Sequence, residues 1–272
     1  MSTGKKSRRV RRSFKFIFRF IQLIFALVFV FLASFFVTLA WRSPDTDKIE
    51  DKKIATTETS MGEKIDRIFD IEKAVNEKRK KIRHYVLLKD IPRHLRQAVI
   101  AVEDTRFYSH KGFDIESIAR AALVNVEAGE IEEGASTITQ QLVKNLFLTQ
   151  ERSFTRKVEE LLLAMSVERN YEKDKIIELY LNTIYFGSNF YGIYEAAHGY
   201  FDKDPKDLTL AESTMLAGIP NAPSVYSPYV NFMLAKKRQL IVIDAMVKAH
   251  LLTEYEAEKA RIAEIVLKDG YY

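Results

Sequence analysis

Phe20 to Trp41 is a run of 22 residues with only three polar interruptions, Gln22, Ser34 and Thr38. At about 1.5 Å per residue a helix of that length spans roughly 33 Å, enough to cross the hydrocarbon core of a bilayer. The rival reading is a cleaved signal peptide, whose apolar core usually covers about 7–15 residues before a small-residue cleavage site. This run is longer and closes on Trp41-Arg42, an interfacial anchor pattern, so a retained transmembrane helix over 20–41 is expected. Before it stand eight cations (Lys5, Lys6, Arg8, Arg9, Arg11, Arg12, Lys15 and Arg19) and no acid. By the positive-inside rule, residues 1–19 form a cytoplasmic tail and everything after Trp41 is extracytoplasmic. The tail also suits anionic lipid headgroups.

Charge follows the same division. The net charge is +5, but with those eight cations set aside, 34 basic residues face 37 acidic ones. The high pI therefore belongs to the tail, and no nucleic-acid partner is indicated for the body. The chain has no cysteine, which excludes disulfides, thiolate catalysis and cysteine-ligated zinc without choosing a compartment. Residues 42–83 are polar and charged and read as a connector, with Ile65, Ile68 and Phe69 marking one short helix. From there to the end, 84–272, the apolar residues recur at helical spacing. Leu95, Ala98, Val99 and Val102 share one face, and Ile176, Ile177, Tyr180 and Leu181 share another in a helix expected over 175–186 with Gly187 as its stop. A proline-rich turn region is expected over 220–228. No stretch alternates with period two between hairpin turns, so the fold class is all-α.

Two stretches carry chemistry. In the first, Glu103-Asp104 closes an apolar helix and is followed by Phe107, His110 and Gly112. A carboxylate there, partly buried at a cleft edge, would have a raised pKa and accept a proton; an ordinary exposed helix end is the alternative, and spacing does not choose. The second runs from Gly134 to Glu160. Thr137 and Gln140 have capping-box spacing, Gln140, Gln141 and Lys144 share a helix surface, and Ile138, Leu142 and Leu146 face the core. Arg156 and Lys157 lie four and three residues before Glu160. Lys144, Arg152, Arg156 and Lys157 could together hold a multiply charged anion such as a pyrophosphate, through charge-assisted bonds and arginine forks. Two surface helices with solvated charges are the alternative. No His or carboxylate spacing makes a zinc site. Asp45-Thr46-Asp47 and Asp202-Lys203-Asp204 imitate an Asp-x-Asp metal motif but sit in expected loops without a preceding buried strand.

Read in order, Glu103-Asp104-x-x-Phe107-x-x-His110-x-Gly112, Gly134-Ala135-Ser136-Thr137-Ile138-Thr139-Gln140-Gln141-x-x-Lys144-Asn145 and Arg156-Lys157-x-x-Glu160 resemble the first three motifs of the peptidoglycan glycosyltransferases, family 51. Asp174-Lys175-Ile176-Ile177-Glu178-x-Tyr180-Leu181-Asn182 with Tyr185-Phe186-Gly187 resembles the fourth. Ala211-Glu212, Ala217-Gly218 and Pro220-Asn221-Ala222-Pro223 resemble the downstream landmarks. Ala135 stands where the family often has a second glycine. The likeness covers nearly all of 85–272.

The resemblance implies a lysozyme-like bilobal helical domain. It also implies polymerisation of lipid II into β-1,4-linked glycan strands, with inversion and release of polyprenyl diphosphate. Glu103 would be the base and Glu160 the second carboxylate, orienting cations or donor. Lys144, Arg152, Arg156 and Lys157 would hold the diphosphate. Ser136, Thr139, Gln140 and Gln141 would bind phosphate or sugar oxygens, with Phe107, His110 and Arg120 as further substrate-side candidates. Some members depend on a divalent cation, Mg or Mn, for which no ligand set is legible here. Expected partners are lipid II, the growing glycan and membrane lipid, with penicillin-binding transpeptidases and division or elongation proteins as further candidates. A lytic glycan hydrolase and a catalytically silent scaffold are the rival classes. The only Ser-x-x-Lys match is Ser2 to Lys5, so no transpeptidase domain is expected.

Overall fold

The helix starts follow from side chains that cap them. The computed structural model describes residues 61–128, 134–149 and 153–268; the basic tail, the apolar run 20–41, Asp45-Thr46-Asp47 and Arg152 lie outside these. Within them are α1 (Met61–Phe69), α2 (Ile71–Arg79), α3 (Arg93–Glu103), α4 (Ile115–Ala128), α5 (Ile138–Phe147) and α6 (Phe154–Asn170). There follow α7 (Lys173–Thr183), α8 (Ile193–Phe201), α9 (Leu210–Gly218), the single-turn α10 (Pro223–Tyr226), α11 (Phe232–Lys248) and α12 (Glu254–Ile262). Thr137, Thr209 and Thr253 close capping boxes on α5, α9 and α12, while Asp70, Ser153 and Asn231 cap α2, α6 and α11. Each such cap satisfies backbone donors that the first turn leaves open, worth about 1 kcal/mol. The described residues hold no strand, only an isolated bridge between Tyr185 and Tyr191. The all-α expectation holds for them. No described helix is long and apolar enough to cross a membrane.

Helix α3 packs against α9 and α11, with α12 behind α11, while α5 packs against α6 and α7, with α1 and α2 on α6. One continuous apolar core joins both groups. Leu95, Ala98 and Val99 of α3 lie in it beside Ile138, Leu142 and Leu146 of α5 and Leu163, Ala164 and Val167 of α6. Burying a leucine or isoleucine fully is worth roughly 1.5–3 kcal/mol, so these stripes hold the helices together. Leu142 and Val143 are buried, and Phe147 and Leu148 pack against the same core, with the Arg67 guanidinium 5.2 Å from the Phe147 ring.

Three details differ from the sequence expectations. The stretch read as connector carries α1 and α2 from Met61 onward, and Ile71 and Val75 of α2 are buried in the shared core. Helix α7 stops at Thr183 rather than running to Phe186. Ile184 is already extended, and the Thr183 hydroxyl donates to the carbonyls of Leu179 and Tyr180, closing the last turn. The proline-rich region is not all turn: it holds a 3-10 turn over Ile219–Asn221 and then α10, because each has a proline in its first turn, where the missing N–H costs nothing.

Two polar side chains on α7 tie it to the chain ahead of α3. The Asn182 carboxamide accepts from the Val86 N–H at 2.7 Å and donates to the Val86 carbonyl at 2.9 Å, pairing with a buried backbone as a strand would. Glu178 accepts from the Tyr85 hydroxyl at 2.6 Å and the Leu88 N–H at 2.8 Å. These two residues of the fourth motif are therefore braces. Asp202 and Asp204, at the end of α8, are held by Lys268 and His198, at 2.7 and 3.1 Å.

Candidate active site

Glu103 is the last residue of α3, and the backbone turns sharply behind it. Its neighbour Asp104 points inward: Oδ2 accepts from His110 Nε2 at 2.8 Å and from the Ile138 N–H, the first of α5, at 3.0 Å. The Gly112 N–H donates to His110 Nδ1 at 3.2 Å, so Nε2 carries the ring proton toward Asp104. Gly112 takes φ +93°, and a Cβ there would meet the Ala164 backbone at 3.0 Å, so no other residue fits without displacing α6. Its carbonyl accepts from the Thr137 hydroxyl at 2.8 Å. The first motif and the Gly-Ala-Ser-Thr motif are thus stitched together, and the end of α3 is set against the start of α5.

That junction aims Glu103 at a groove. Its side chain is 7% exposed, and Oε2 accepts from Gln141 Nε2 at 2.7 Å. The buried Oε1 has no hydrogen-bond partner, and its close cation is Arg238 Nη2 at 3.9 Å. Burial pushes the carboxyl above its ordinary value; the Gln141 hydrogen bond and the charges of Arg238 and Lys144 oppose the rise, and Asp104 adds to it. A raised pKa with one open oxygen suits a proton acceptor.

The groove has a volume of about 980 Å³ and is lined by Glu103, Ser136, Gln141 and Lys144, with Arg120 on the wall from α4. Arg238 and Lys248 of α11 and Asn221 line it as well. The sequence reading missed the two basic residues of α11. The signal was faint: Arg238, Ala245 and Lys248 recur at i, i+7 and i+10 on one face of a helix otherwise full of charge.

Among the other expected site residues, Glu160 is buried in α6, paired with Arg156 at 3.1 Å and with Lys157. Lys157 Nζ also donates to Ser136 Oγ at 3.1 Å, so this cluster reaches the groove through Ser136. Thr139, Gln140 and Phe107 do not open onto it. Thr139 is buried and donates to Glu168, Gln140 turns back to cap α5, and Phe107 is a core ring with Lys173 Nζ 4.5 Å from its centre. His110 is spent on Asp104. Capping-box spacing marked Gln140 for the helix start, whereas only tertiary contact shows that Gln141 reaches Glu103.

The described residues offer a divalent cation no fitting ligand set. Among the described residues no group of three or more carboxylate or imidazole side chains could hold one. Near the groove, Asp104 is occupied by His110 and Ile138, and Asp114 by Arg106 and Ser117.

The sequence matches the transglycosylase family over residues 71–247. The chain belongs to that family. Within it, this transglycosylase is 49% identical over 183 residues to penicillin-binding protein 1A of Neisseria flavescens and of Neisseria gonorrhoeae, covering 67% of the chain and 23% of each relative. It is 46% identical over 179 residues to penicillin-binding protein 1F of Bacillus subtilis, 66% of the chain and 25% of the relative. The transglycosylase thus spans about a quarter of these relatives. A solved structure, penicillin-binding protein 1A from Haemophilus influenzae, is similar over 68% of the chain and 18% of its own, at 24% identity and a TM-score of 0.41. The resemblance drawn from the motifs holds at the level of the family: this transglycosylase carries a family 51 peptidoglycan glycosyltransferase domain.

Proposed function

We propose that the protein polymerises lipid II, a lipid-linked disaccharide-peptide, into β-1,4-linked glycan strands for the cell wall. Glu103 removes the proton from the 4-hydroxyl of the incoming unit through Oε1, the oxygen without a hydrogen-bond partner. The hydroxyl oxygen attacks the donor's anomeric carbon, the bond to the diphosphate oxygen breaks with inversion, and polyprenyl diphosphate leaves. The observation that carries this reading is one groove lined by Glu103, whose buried Oε1 has no hydrogen-bond partner, together with Lys144, Arg238, Lys248 and Arg120. A neutral sugar hydroxyl needs the base; a departing diphosphate needs the cations, whose preorganised charge is often the largest catalytic contribution. A hydrolase of finished glycan has no use for so cationic a groove.

Glu160 holds Arg156 and Lys157 in place, and Lys157 presents Ser136 to the donor. Gln141 serves Glu103 rather than substrate alone. The lysozyme-like bilobal form belongs to the same proposal, as do the single membrane helix over 20–41 and the extracytoplasmic placement of the domain, which the apolar run and the basic tail support. An anchor keeps the groove beside a polyprenyl substrate and raises its effective concentration. Penicillin-binding transpeptidases and division or elongation proteins are the partners this reading implies.

The test is incubation of the purified full chain with labelled lipid II, with Glu103→Gln alongside. Polymer from the native protein and none from a folded Glu103→Gln is expected. Near-normal polymer from the variant removes Glu103 from its role, and soluble muropeptides from finished glycan would instead reveal a hydrolase.

A further inference from the structure

The Gln141 carboxamide lies between two groups that differ in what they can offer. Its nitrogen is 2.7 Å from Glu103 Oε2, and its oxygen is 3.1 Å from the hydroxyl of Tyr180. An ionised carboxylate can only accept, so the amide nitrogen must face Glu103; that leaves the amide oxygen for Tyr180, whose hydroxyl must donate. Tyr180 is fully buried on α7, packed against α5 in the shared core.

We infer that Tyr180 is a positioning residue for the base: by holding the Gln141 amide in this one orientation, it biases Glu103 toward the ionised form. An N–H donor favours the charged form of its acceptor, whereas an amide turned to bring its oxygen to Glu103 would accept from the protonated carboxyl and favour the neutral form. In that turned state the phenol oxygen could accept from the amide N–H, but the phenol hydrogen would lose its acceptor in the core, where a missing partner is expensive. Burial raises the Tyr180 pKa well above its ordinary value, so the phenol remains a donor wherever the enzyme works.

The other groups facing Glu103 come from separate elements. Arg238 of α11 and Lys144 of α5 favour the carboxylate, and Asp104 at the end of α3 opposes it. Tyr180 acts from α7 and carries no charge, so its effect on Glu103 passes through the amide. This inference rests on Glu103 being the base of the proposed reaction.

The experiment uses the full chain in detergent and Tyr180→Phe, with two readouts. One is the acid limb of the pH–rate profile for lipid II polymerisation. The other is the carboxylate titration of Glu103 by carbon NMR of labelled glutamate, assigned by the signal that Glu103→Gln loses. Losing a hydrogen bond that supports a charged group should move both midpoints upward by about one pH unit, with the high-pH plateau within about threefold of native. Gln141→Met should give a shift at least as large, and Tyr180→Phe should add nothing to it. Fluorotyrosine at position 180, a stronger donor of nearly the same shape, should move the midpoints down and serves if the phenylalanine variant does not fold. A carboxylate midpoint unmoved in Tyr180→Phe or by fluorotyrosine overturns the inference. If the native acid limb does not follow the carboxylate midpoint, the base assignment fails instead, and the titration still decides the part played by Tyr180.

Discussion

Lys144 and Arg238 approach Glu103 from different helices, and neither is neutralised by it alone. Arg238 stands 3.9 Å from the open oxygen and 5.7 Å from the centre of the Tyr226 ring, which fixes the guanidinium from behind. Lys144 shares the groove wall one helical turn beyond Gln141. Removing one donor aimed at developing charge typically costs about 3–4 kcal/mol of transition-state stabilisation. Lys144→Ala is therefore expected to lower kcat on lipid II by about 10²–10³-fold. A loss below about fivefold would place the leaving diphosphate elsewhere. The same substitution removes a charge that favours the Glu103 carboxylate, so the remaining activity should require a higher pH.

At the scale of elements, the site depends on how two helix starts are held. Thr137 caps α5 while donating to the Gly112 carbonyl, so Thr137→Ala removes a cap and leaves a buried carbonyl short of a partner. The combined cost should be about 1–3 kcal/mol, seen as a Tm lower by roughly 2–8 °C, with activity falling because Glu103 loses its register against Gln141. Asp114 does the corresponding work for α4. It accepts from the N–H groups of Glu116 and Ser117, from the Ser117 hydroxyl and from Arg106. Burial alone would raise its pKa, but the hydrogen bonds from Arg106 and Ser117 outweigh that and hold it at about 2, below the ordinary 3.8. A depressed carboxyl contributes stability that is present above its unfolded value and lost as pH falls through its folded one. Asp114→Ala should thus be less stable than native at neutral pH, the difference shrinking between about pH 4 and 2 in thermal melts. A gap that stays constant to pH 2 would mean that the cap geometry, not the charge, supplies the stability.

For the whole molecule, the packing brings the end of α3, the face of α5 and the face of α11 to one groove, although they are far apart in the chain. Apolar burial makes the fold, and the polar ties of Asp104, Thr137, Glu178 and Asn182 fix its register. On the proposed topology the groove opens outside the cytoplasm. A reporter active only in an extracytoplasmic space, fused after Tyr272, should give signal; signal solely from a cytoplasm-specific reporter would reverse the orientation.

Much was legible from residue order alone. The helical period placed α3, α5 and α7 within a few residues, and Thr137 with Gln140 announced a capping box because that device is local. The motifs marked Glu103, Lys144 and Glu160 as a set. Local spacing could not say which side chains the fold itself consumes. Thr139, His110 and Phe107 carry the right chemistry for a site, yet their partners (Glu168, Asp104 and the core) lie on other turns or elements. Nor could it single out Arg238, whose closeness to Glu103 depends on α11 crossing α3. Capping and periodicity act over four residues and can be read along a chain. Desolvation and charge pairing act across whatever packing brings together, and only the tertiary structure decides that.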